Sequence, residues 1–201
     1  MTTFHDDYSM TTIYEAPLGS NPLNKPQAVF LAITCVHPAW LNYDGISEEE
    51  SQTLVPLSIF AMRWDGLIGF IGGAVDPGES LLQAVAREAA EEAGIQPPSD
   101  HASSWALVSS HDLESICVHL FSWSVDFETF SFILRHQHLA QHHMAEGTLF
   151  AAQCRNYGPK KRSFDEFSRQ NFATGALDQM KSLFAHLGWD QAFGQDSPLA
   201  A

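Results

Sequence analysis

The sequence predicts an α/β fold in a single domain, on three observations. Its 201 residues are 45% hydrophobic, which is enough for one sizeable core and fits one domain. Runs rich in β-branched and aromatic residues alternate with stretches whose apolar residues recur at helical spacing. Neither an internal repeat nor a low-complexity linker divides the sequence. We therefore expect residues 26–190 to form the domain, with an N-terminal extension over 1–25 and a flexible tail over 191–201.

Five runs have the length and composition of β-strands, bounded by turn residues. They cover residues 28–36, 56–63, 104–111, 116–124 and 147–154. A polar, turn-rich segment over 37–52 separates the first two runs, and such a segment is typical of a lid or rim beside a binding site.

Three helices are predicted between and after these strands. The turn Asp76–Glu79 has Pro and Gly at its centre and leads into a helix from about Ser80 to Ala93, which Gly94 is suited to end. A second helix, with an apolar stripe on one side, is expected from Asp126 to about Gln141. The third covers about 174–187.

Targeting signals and cysteine usage indicate the compartment. The first residues are acidic and lack the charged and apolar regions of a signal peptide, and no apolar run approaches the roughly 20 residues that span a bilayer. Cys35, Cys117 and Cys154 are widely spaced and odd in number, which is typical of reduced thiols. We therefore expect an intracellular protein, nuclear or cytoplasmic and not secreted.

The net charge bears on the class of partner. Asp and Glu total 24 against 10 Lys and Arg, so the formal net charge is −14. Such a surface repels phosphate backbones at long range, which argues against extended nucleic-acid binding. A local basic pocket remains compatible with this charge, so a small nucleotide is favoured over a long nucleic acid.

The helix over 80–93 carries an unusual group of charges, namely Glu88, Glu91 and Glu92. A helix C-terminus has partial negative charge, and an exposed carboxylate there costs on the order of 0.3–1 kcal/mol. At about 100° per residue, the three glutamates fall within one arc beside the apolar arc that faces the core. A solvated acidic face would give the same pattern, but carboxylates held at one edge also suit Mg²⁺ or Mn²⁺.

The wider pattern around this helix is more specific. Residues 73–95, which we call the box, read GAVDPGESLLQAVAREAAEEAGI. This segment matches the signature of the Nudix hydrolases at every fixed position, so the chain resembles that family. The matching residues are Gly73, Glu79, Arg87, Glu88, Ala89, Glu91, Glu92, Gly94 and Ile95. The resemblance implies an α/β/α sandwich with a mixed sheet. It also implies metal-assisted hydrolysis of a nucleoside diphosphate linked to another group.

The resemblance implies roles for the charged residues of the box. Glu88 and Glu92 would be ligands of Mg²⁺ or Mn²⁺. Glu91 would be either a further ligand or the base that prepares a water molecule. Glu79 would complete the metal shell or pair with Arg87, which would then lock the loop onto the helix.

Further site residues are implied before and after the box. Gly72 would offer its backbone carbonyl to the metal, and the absence of side chains at Gly72 and Gly73 would leave room for the approach. Gly94 would serve as a structural residue that ends the helix. His111 would be an additional metal-site residue, and Glu146 a further carboxylate that acts as ligand or base.

A second, weaker resemblance concerns the substrate. Residues 62–76 read MRWDGLIGFIGGAVD and are similar to the segment entering the box in Nudix enzymes that decap small nucleolar RNA and hydrolyse inosine diphosphates. By position, Arg63 and Phe70 would line the nucleotide pocket and Gln179 would touch the base. Phe30 stands where that group has a base-contacting histidine, and a phenyl ring stacks on a base without hydrogen-bonding its edge. Modest selectivity among purines is therefore expected.

The function expected from the resemblance is metal-dependent pyrophosphohydrolysis of inosine-type diphosphates or of the cap of RNA. Two alternatives remain: a pyrophosphatase for ADP-ribose or NAD-type dinucleotides, and a non-catalytic scaffold with the same fold. Degenerate relatives lose carboxylates of the box, whereas all of them are present here, which favours the enzyme. The expected partners are a purine nucleotide, capped RNA and a second copy of the chain in a homodimer, with no membrane partner.

Overall fold

The structure is a computed structural model that describes residues 14–38, 54–95, 105–140, 147–155 and 163–189. These residues form one mixed sheet of eight strands with helices on both faces. The strands are β1 (Tyr14–Glu15), β2 (Gln27–Pro38), β3 (Leu54–Met62), β4 (Ile68–Gly69), β5 (Ile71–Ala74), β6 (Ala106–Asp112), β7 (Cys117–Ser124) and β8 (Thr148–Gln153). The helices are α1 (Leu81–Ala93), α2 (Phe127–His136), α3 (Ser163–Phe167) and α4 (Ala176–Leu187).

Strand β2 is the centre of the sheet. On one side it pairs in parallel with β7 from Gln27 to Thr34, and on the other it pairs antiparallel with β5 through its first half and with β3 through its second. The sheet continues through β6 to β1 on one side and through β3 to β4 and β8 on the other. In the β2–β5 ladder Phe30 lies opposite Gly72 and Val29 opposite Gly73, which brings the start of the box against the central strand.

The two faces of the sheet bury different cores because successive side chains of a strand point to opposite faces. On β2, Val29, Leu31 and Ile33 pack against α1 and α2. Phe30 and Ala32 point to the other face, where α3 and α4 cover them. This arrangement is an α/β/α sandwich around a mixed sheet, and it confirms the fold class predicted from the sequence.

The predicted elements are all present, with ends shifted by a few residues, except that the second helix is shorter than predicted. Helix α2 ends at His136 and a 3-10 turn follows over Gln137–Leu139. The side chain of Gln137 explains the end of the helix. Its Nε2 donates to the carbonyls of Leu134 and Leu149, and its Oε1 accepts from the Leu149 N–H at 2.7 Å, so it ties this point to β8.

Four short elements were not predicted from the sequence, namely β1, β4, β5 and helix α3. Strand β5 reads IGGA and has a single β-branched residue, so its pairing with β2 decides its conformation. The predicted lid over 37–52 lies outside the described residues, apart from its first two, which extend β2. None of the helices in the described part of the chain is long and apolar enough to cross a membrane.

The three cysteines are buried free thiols, as predicted. Burial raises the pKa of Cys35 to about 12, and it also raises the pKa of the Cys117 and Cys154 thiols. Because the thiolate is the reactive form, these residues serve as small apolar groups of the core.

Residues 14–25, the described part of the predicted N-terminal extension, pack on the edge of the sheet. Strand β1 pairs with the end of β6, and the Lys25 ammonium forms an ion pair with Asp112 at 2.5 Å. Lys25 Nζ also donates to the carbonyl of Leu113 at 2.7 Å. The segment therefore braces the turn between β6 and β7.

A buried histidine extends this brace. The Gly19 N–H donates to Ser110 Oγ at 2.9 Å, and Ser110 Oγ lies 2.8 Å from His119 Nδ1. His119 Nε2 lies 3.1 Å from Gln27 Oε1, which can only accept, so Nε2 carries the proton and Ser110 donates to Nδ1. Burial lowers the pKa of His119, which favours this neutral form.

We expect this histidine to make the free energy of unfolding depend on pH. The unfolded chain binds a proton at His119 near the ordinary histidine pKa of 6.5, whereas the folded chain resists it. Below that pH the unfolded state holds more protons, so stability falls as the pH falls. Between about pH 5 and 8, the unfolding midpoint of His119→Gln should change less steeply than that of the parent. His186→Gln, at an exposed position, is the control, and parallel slopes for all three proteins would contradict the assignment.

Candidate active site

Helix α1, which carries the glutamates of the box, is bounded by local interactions. Ser80 Oγ accepts from the Gln83 N–H and Gln83 Oε1 accepts from the Ser80 N–H, so the two residues form a capping box. Gly94 ends the helix in the left-handed conformation, with φ 65°, and its N–H bonds back to the Ala90 carbonyl. The predicted structural role of Gly94 agrees with this geometry.

Arg87 is the centre of the charged residues of the box. Its Nε and Nη2 each lie 3.1 Å from an oxygen of Glu79, and Nη2 also donates to the Ala74 carbonyl at 2.8 Å. Its Nη1 donates to Glu88 Oε1 at 2.7 Å and to Glu91 Oε2 at 3.3 Å. The hydrogen bonds from Arg87 lower the pKa of Glu79, and the carboxylates around Arg87 raise its own pKa. Of the two roles predicted for Glu79, this geometry favours the pairing with Arg87.

The glycines at the start of the box let carboxylates and backbone come close together. The Gly72 N–H donates to Glu92 Oε2 at 3.0 Å. A Cβ atom at Gly72, whose φ is 147°, would lie 2.0 Å from the Val29 carbonyl oxygen, and one at Gly73 would lie 2.6 Å from Glu88 Oε1. These glycines thus make room for β2 and for Glu88, whereas the predicted contact of the Gly72 carbonyl with a metal stays a prediction.

The glutamates fit a divalent cation by the chemistry of their donor atoms. Glu88, Glu91 and Glu92 supply hard carboxylate oxygens from two turns of one packed helix, which Mg²⁺ and Mn²⁺ prefer. Within the described ranges, no three His, Cys, Asp or Glu side chains are grouped closely enough to hold an ion as they stand. Glu88 and Glu91 are turned to Arg87, so they would have to share or exchange these hydrogen bonds to bind a cation.

A cavity of about 470 Å³ opens beside the box. Its walls come from β2 and β5, from the turn between β3 and β4, from the turn between β6 and β7, from the end of α1 and from the start of α4. The predicted substrate residues Phe30, Arg63, Phe70 and Gln179 all line it, together with Gly72, Gly73 and Glu92 of the predicted metal site and box. The structure therefore joins the predicted recognition residues to one edge of the carboxylate cluster.

The inner part of the cavity is apolar and contains one buried amide. Its apolar lining includes Ala28, Leu113, Ile116, Val118 and Ala176. Gln179 reaches this surface from α4 with only 3% of its area exposed, and its Nε2 has no hydrogen-bond partner among the described residues. An unsatisfied buried donor costs about 1–3 kcal/mol. A ligand with a polar edge would offset that cost, because rotation of the amide can present either its N–H or its carbonyl.

The other predicted substrate residues differ in how firmly they are held. Phe70 is buried and its ring centroid lies 5.0 Å from that of Phe60, so the core fixes its position. Phe30 is half-buried on the cavity side of β2. Arg63 Nη2 lies 2.8 Å from Asp65 Oδ2, and within the described ranges the other guanidinium N–H groups of Arg63 have no hydrogen-bond partner, so they can donate to a ligand.

His111, a predicted metal-site residue, lies away from the cavity. His111 is buried in β6, where its Nε2 lies 3.3 Å from Ser182 Oγ on α4, and it does not line the cavity. Its side chain therefore supports the packing of α4 on the sheet, and its predicted role at the metal stays untested. Glu146 lies outside the described residues.

Two groups of cavity residues were missed from the sequence. One is the turn between β6 and β7 with the start of β7, which contribute Leu113, Ile116 and Val118, and no local pattern distinguishes these residues from ordinary core residues. The other is Trp64, an exposed indole in the turn between β3 and β4. An aromatic residue within the polar turn sequence Arg-Trp-Asp-Gly was a signal that could have identified it.

Comparisons with known proteins bear on the family and on the fold. The Nudt16-like family, described as U8 snoRNA-decapping enzyme-like, matches residues 50–187, about two thirds of the chain. The U8 snoRNA-decapping enzyme of Homalodisca vitripennis is 35% identical over 69 residues, which cover 33% of this chain. The chain spans 37% of the length of that curated relative.

Two solved structures share the fold at low sequence identity. A mutT/nudix family protein from Listeria innocua aligns with a TM-score of 0.54 at 16% identity, over 81% of this chain and 94% of its own. A Bacillus subtilis pyrophosphohydrolase aligns with a TM-score of 0.51 at 14% identity, over 94% of this chain and 99% of its own. At these identities the likeness concerns the arrangement of the backbone alone.

Proposed function

Because the chain belongs to the Nudt16-like family of Nudix hydrolases, we propose that it is a pyrophosphohydrolase that depends on Mg²⁺ or Mn²⁺ and acts on a purine nucleotide. The substrates that we propose are inosine-type diphosphates and the cap of RNA. The second of these is supported by the name of the insect relative, a U8 snoRNA-decapping enzyme.

One observation carries the proposal: Glu92 and Gln179 line the same cavity. Glu92 belongs to the box whose carboxylates suit a divalent cation, and Gln179 is a buried amide whose Nε2 has no partner in the described structure. A base held by the amide would direct its ribose and phosphates along the cavity. Hydrolysis of a nucleotide anhydride requires groups that hold the base next to groups that stabilise the charge on the reacting phosphates.

The residues of the box have separate tasks in this mechanism. A bound divalent cation would neutralise charge on the pyrophosphate and lower the pKa of an attacking water molecule. Glu88, Glu91 and Glu92 would hold it, while the pair of Arg87 with Glu79 keeps the loop before α1 against the helix. The Gly72 N–H orients the Glu92 carboxylate from the side of the sheet. Glu91 and Glu146 remain the two candidates for the general base.

Base recognition would combine stacking with one polar reader. Phe30 offers an aromatic face and the apolar lining excludes water, so the ring of a purine gains from burial. Gln179 is the polar side chain on the inner wall, and an amide adapts to hypoxanthine, guanine or adenine edges. Selectivity among purines should therefore be within about 10–200-fold, whereas pyrimidines should bind less well because they stack over a smaller area.

We expect Gln179→Ala to flatten the ranking of IDP, GDP and ADP in kcat/KM, because it removes the group that distinguishes the base edges. Phe30→Ala should lower kcat/KM for all three purines together and bring them closer to CDP. Gln179→Met keeps the length of the side chain without its hydrogen bonds, so it controls for packing. A preference for IDP above about 10⁴-fold would show that another hydrogen-bonding residue reads the base.

A substrate panel tests the proposal as a whole. The full chain would be assayed with IDP, dIDP, ADP-ribose, NADH and capped RNA, first with Mg²⁺ and then with Mn²⁺. We expect metal-dependent release of products from IDP or capped RNA. Higher kcat/KM for ADP-ribose or NADH would favour the dinucleotide pyrophosphatase instead, and no turnover of any substrate would favour a non-catalytic scaffold. A homodimer is also proposed, and light scattering of the purified chain would measure it.

A further inference from the structure

We propose that Trp64 is a specificity-determining residue that stacks on a second planar group, one joined to the bound purine nucleotide through its phosphates. This inference rests on the proposed function, since it assumes a purine nucleotide in the cavity. It adds the residue by which the site would distinguish a two-base substrate from a simple nucleoside diphosphate.

The exposure of Trp64 is the first observation. Its side chain is 78% exposed and still contributes to the cavity lining. The other described tryptophans are packed, because Trp105 and Trp123 face one another in the core and Trp189 packs against Phe184. Trp64 is therefore the described tryptophan whose ring has an open face in the lining of a cavity, and such a face can stack on a planar ligand group.

The rigidity of the surrounding turn is the second observation. The Arg63 N–H donates to the Leu67 carbonyl at 2.9 Å, and the Gly66 N–H donates to the Arg63 carbonyl at 3.0 Å. Asp65 ties the turn from within, because its Oδ1 accepts from the Leu67 N–H and its Oδ2 pairs with Arg63. The indole is thus presented from an ordered backbone, which lowers the entropy lost when a ring stacks on it.

The neighbours of Trp64 indicate what kind of ligand meets it. Arg63, the adjacent residue, is the sole Lys or Arg side chain in the lining of this cavity among the residues that the structure describes. Its free N–H groups suit phosphate oxygens. The inner wall already provides Phe30 and Gln179 for one base, so an exposed aromatic surface beside a phosphate-binding cation fits a second base beyond the phosphates.

Binding of two matched probes tests the inference without relying on turnover. The probes are guanosine α,β-methylene diphosphate, with one base, and a methylene-bridged diguanosine triphosphate, with two bases. Calorimetry with Mg²⁺ would give Kd values for the parent, Trp64→Ala, Trp64→Phe and Phe132→Ala. Phe132 is the control because it is an aromatic residue, 55% exposed, on α2 and outside the cavity.

We expect Trp64→Ala to weaken the two-base probe by about 5- to 150-fold, the range of one base–aromatic stack. The Kd of the one-base probe should change by less than about threefold, because the site keeps its other contacts with that probe. Trp64→Phe should retain most of the affinity for the two-base probe. The two-base probe should quench tryptophan fluorescence in the parent, and this quenching should be lost in Trp64→Phe. Phe132→Ala should behave like the parent.

Three outcomes would overturn the inference: equal losses for both probes in Trp64→Ala, no loss for either, or a parent that binds neither probe. If Trp64→Ala loses affinity for the two-base probe alone but the parent hydrolyses nothing in the substrate panel, the inference stands and the proposed function is rejected. If the parent hydrolyses a substrate but Trp64→Ala shows no such selective loss of affinity, the proposed function stands and the inference is rejected. A capped RNA oligonucleotide, used as a competitor, distinguishes the source of the second base. If the capped RNA binds with the same affinity as the two-base probe, then the two-base end of the RNA is sufficient for binding.

Discussion

Glu92→Gln is expected to lower turnover by about a hundredfold or more while the fold stays intact. The substitution keeps the shape of the side chain and an acceptor for the Gly72 N–H, but it removes the charge that a cation requires. Stability should hold or rise, because one carboxylate leaves a crowded cluster near the negative end of α1. Rates and melting temperatures, measured side by side, check both parts.

The control for this experiment is Glu128→Gln, which removes an exposed carboxylate from α2. Millimolar Mg²⁺ should raise the melting temperature of the parent and of this control relative to EDTA, because an ion that binds the folded state stabilises it by mass action. The shift should be smaller or absent in Glu92→Gln. Turnover within about tenfold of the parent would exclude Glu92 from the reaction.

Gly72→Ala should strongly destabilise the fold. The new Cβ atom would lie 2.0 Å from the Val29 carbonyl oxygen and 2.8 Å from Phe30 Cα, and both are backbone atoms of β2 that cannot yield without breaking the ladder. We expect a loss of about 3 kcal/mol or more, or a chain that does not fold. Chemical denaturation measures the change, and solubility replaces it if the variant fails to fold.

Gly78→Ala is the matched control for that substitution. Gly78 has a positive φ of 86°, but a Cβ atom at this position would have no described neighbour within 4 Å. Alanine there adds only the local backbone strain, on the order of 1 kcal/mol. If the two variants unfold at the same denaturant concentration, then the contact between β5 and β2 is not the reason for glycine at position 72.

Local patterns explain why part of this structure was predictable. Helix α1 carries its own start and end signals at Ser80 and Gly94, and the spacing of its glutamates shows which side faces the core. The strands of the central sheet are long and rich in β-branched residues, so composition alone identifies them. Phe30, Arg63, Phe70 and Gln179 could be placed at the cavity because the resemblance covers the elements that carry them.

The remaining features depend on distant pairing, which no local pattern encodes. Strand β5 has weak strand propensity and becomes a strand because β2 is beside it. Arg87 donates hydrogen bonds to the Ala74 carbonyl and to three carboxylates at once, which follows from the way the loop folds back on α1. His119 looked like an ordinary residue of a β-run, and only its pairing with Ser110 and Gln27 shows that it organises the N-terminal brace.

The position of Gln179 late in the chain has a consequence for biosynthesis. During translation the box is complete once Ile95 has emerged, but the cavity still lacks its wall from α4. The central strand must also wait for its parallel neighbour β7, whose pairing spans about 90 residues and is slow to form. A nascent or proteolytically shortened chain that ends before α4 would therefore hold the carboxylates of the box without the amide that we propose as the reader of the base. Docking of α4 on the sheet is then the folding step that completes the proposed site.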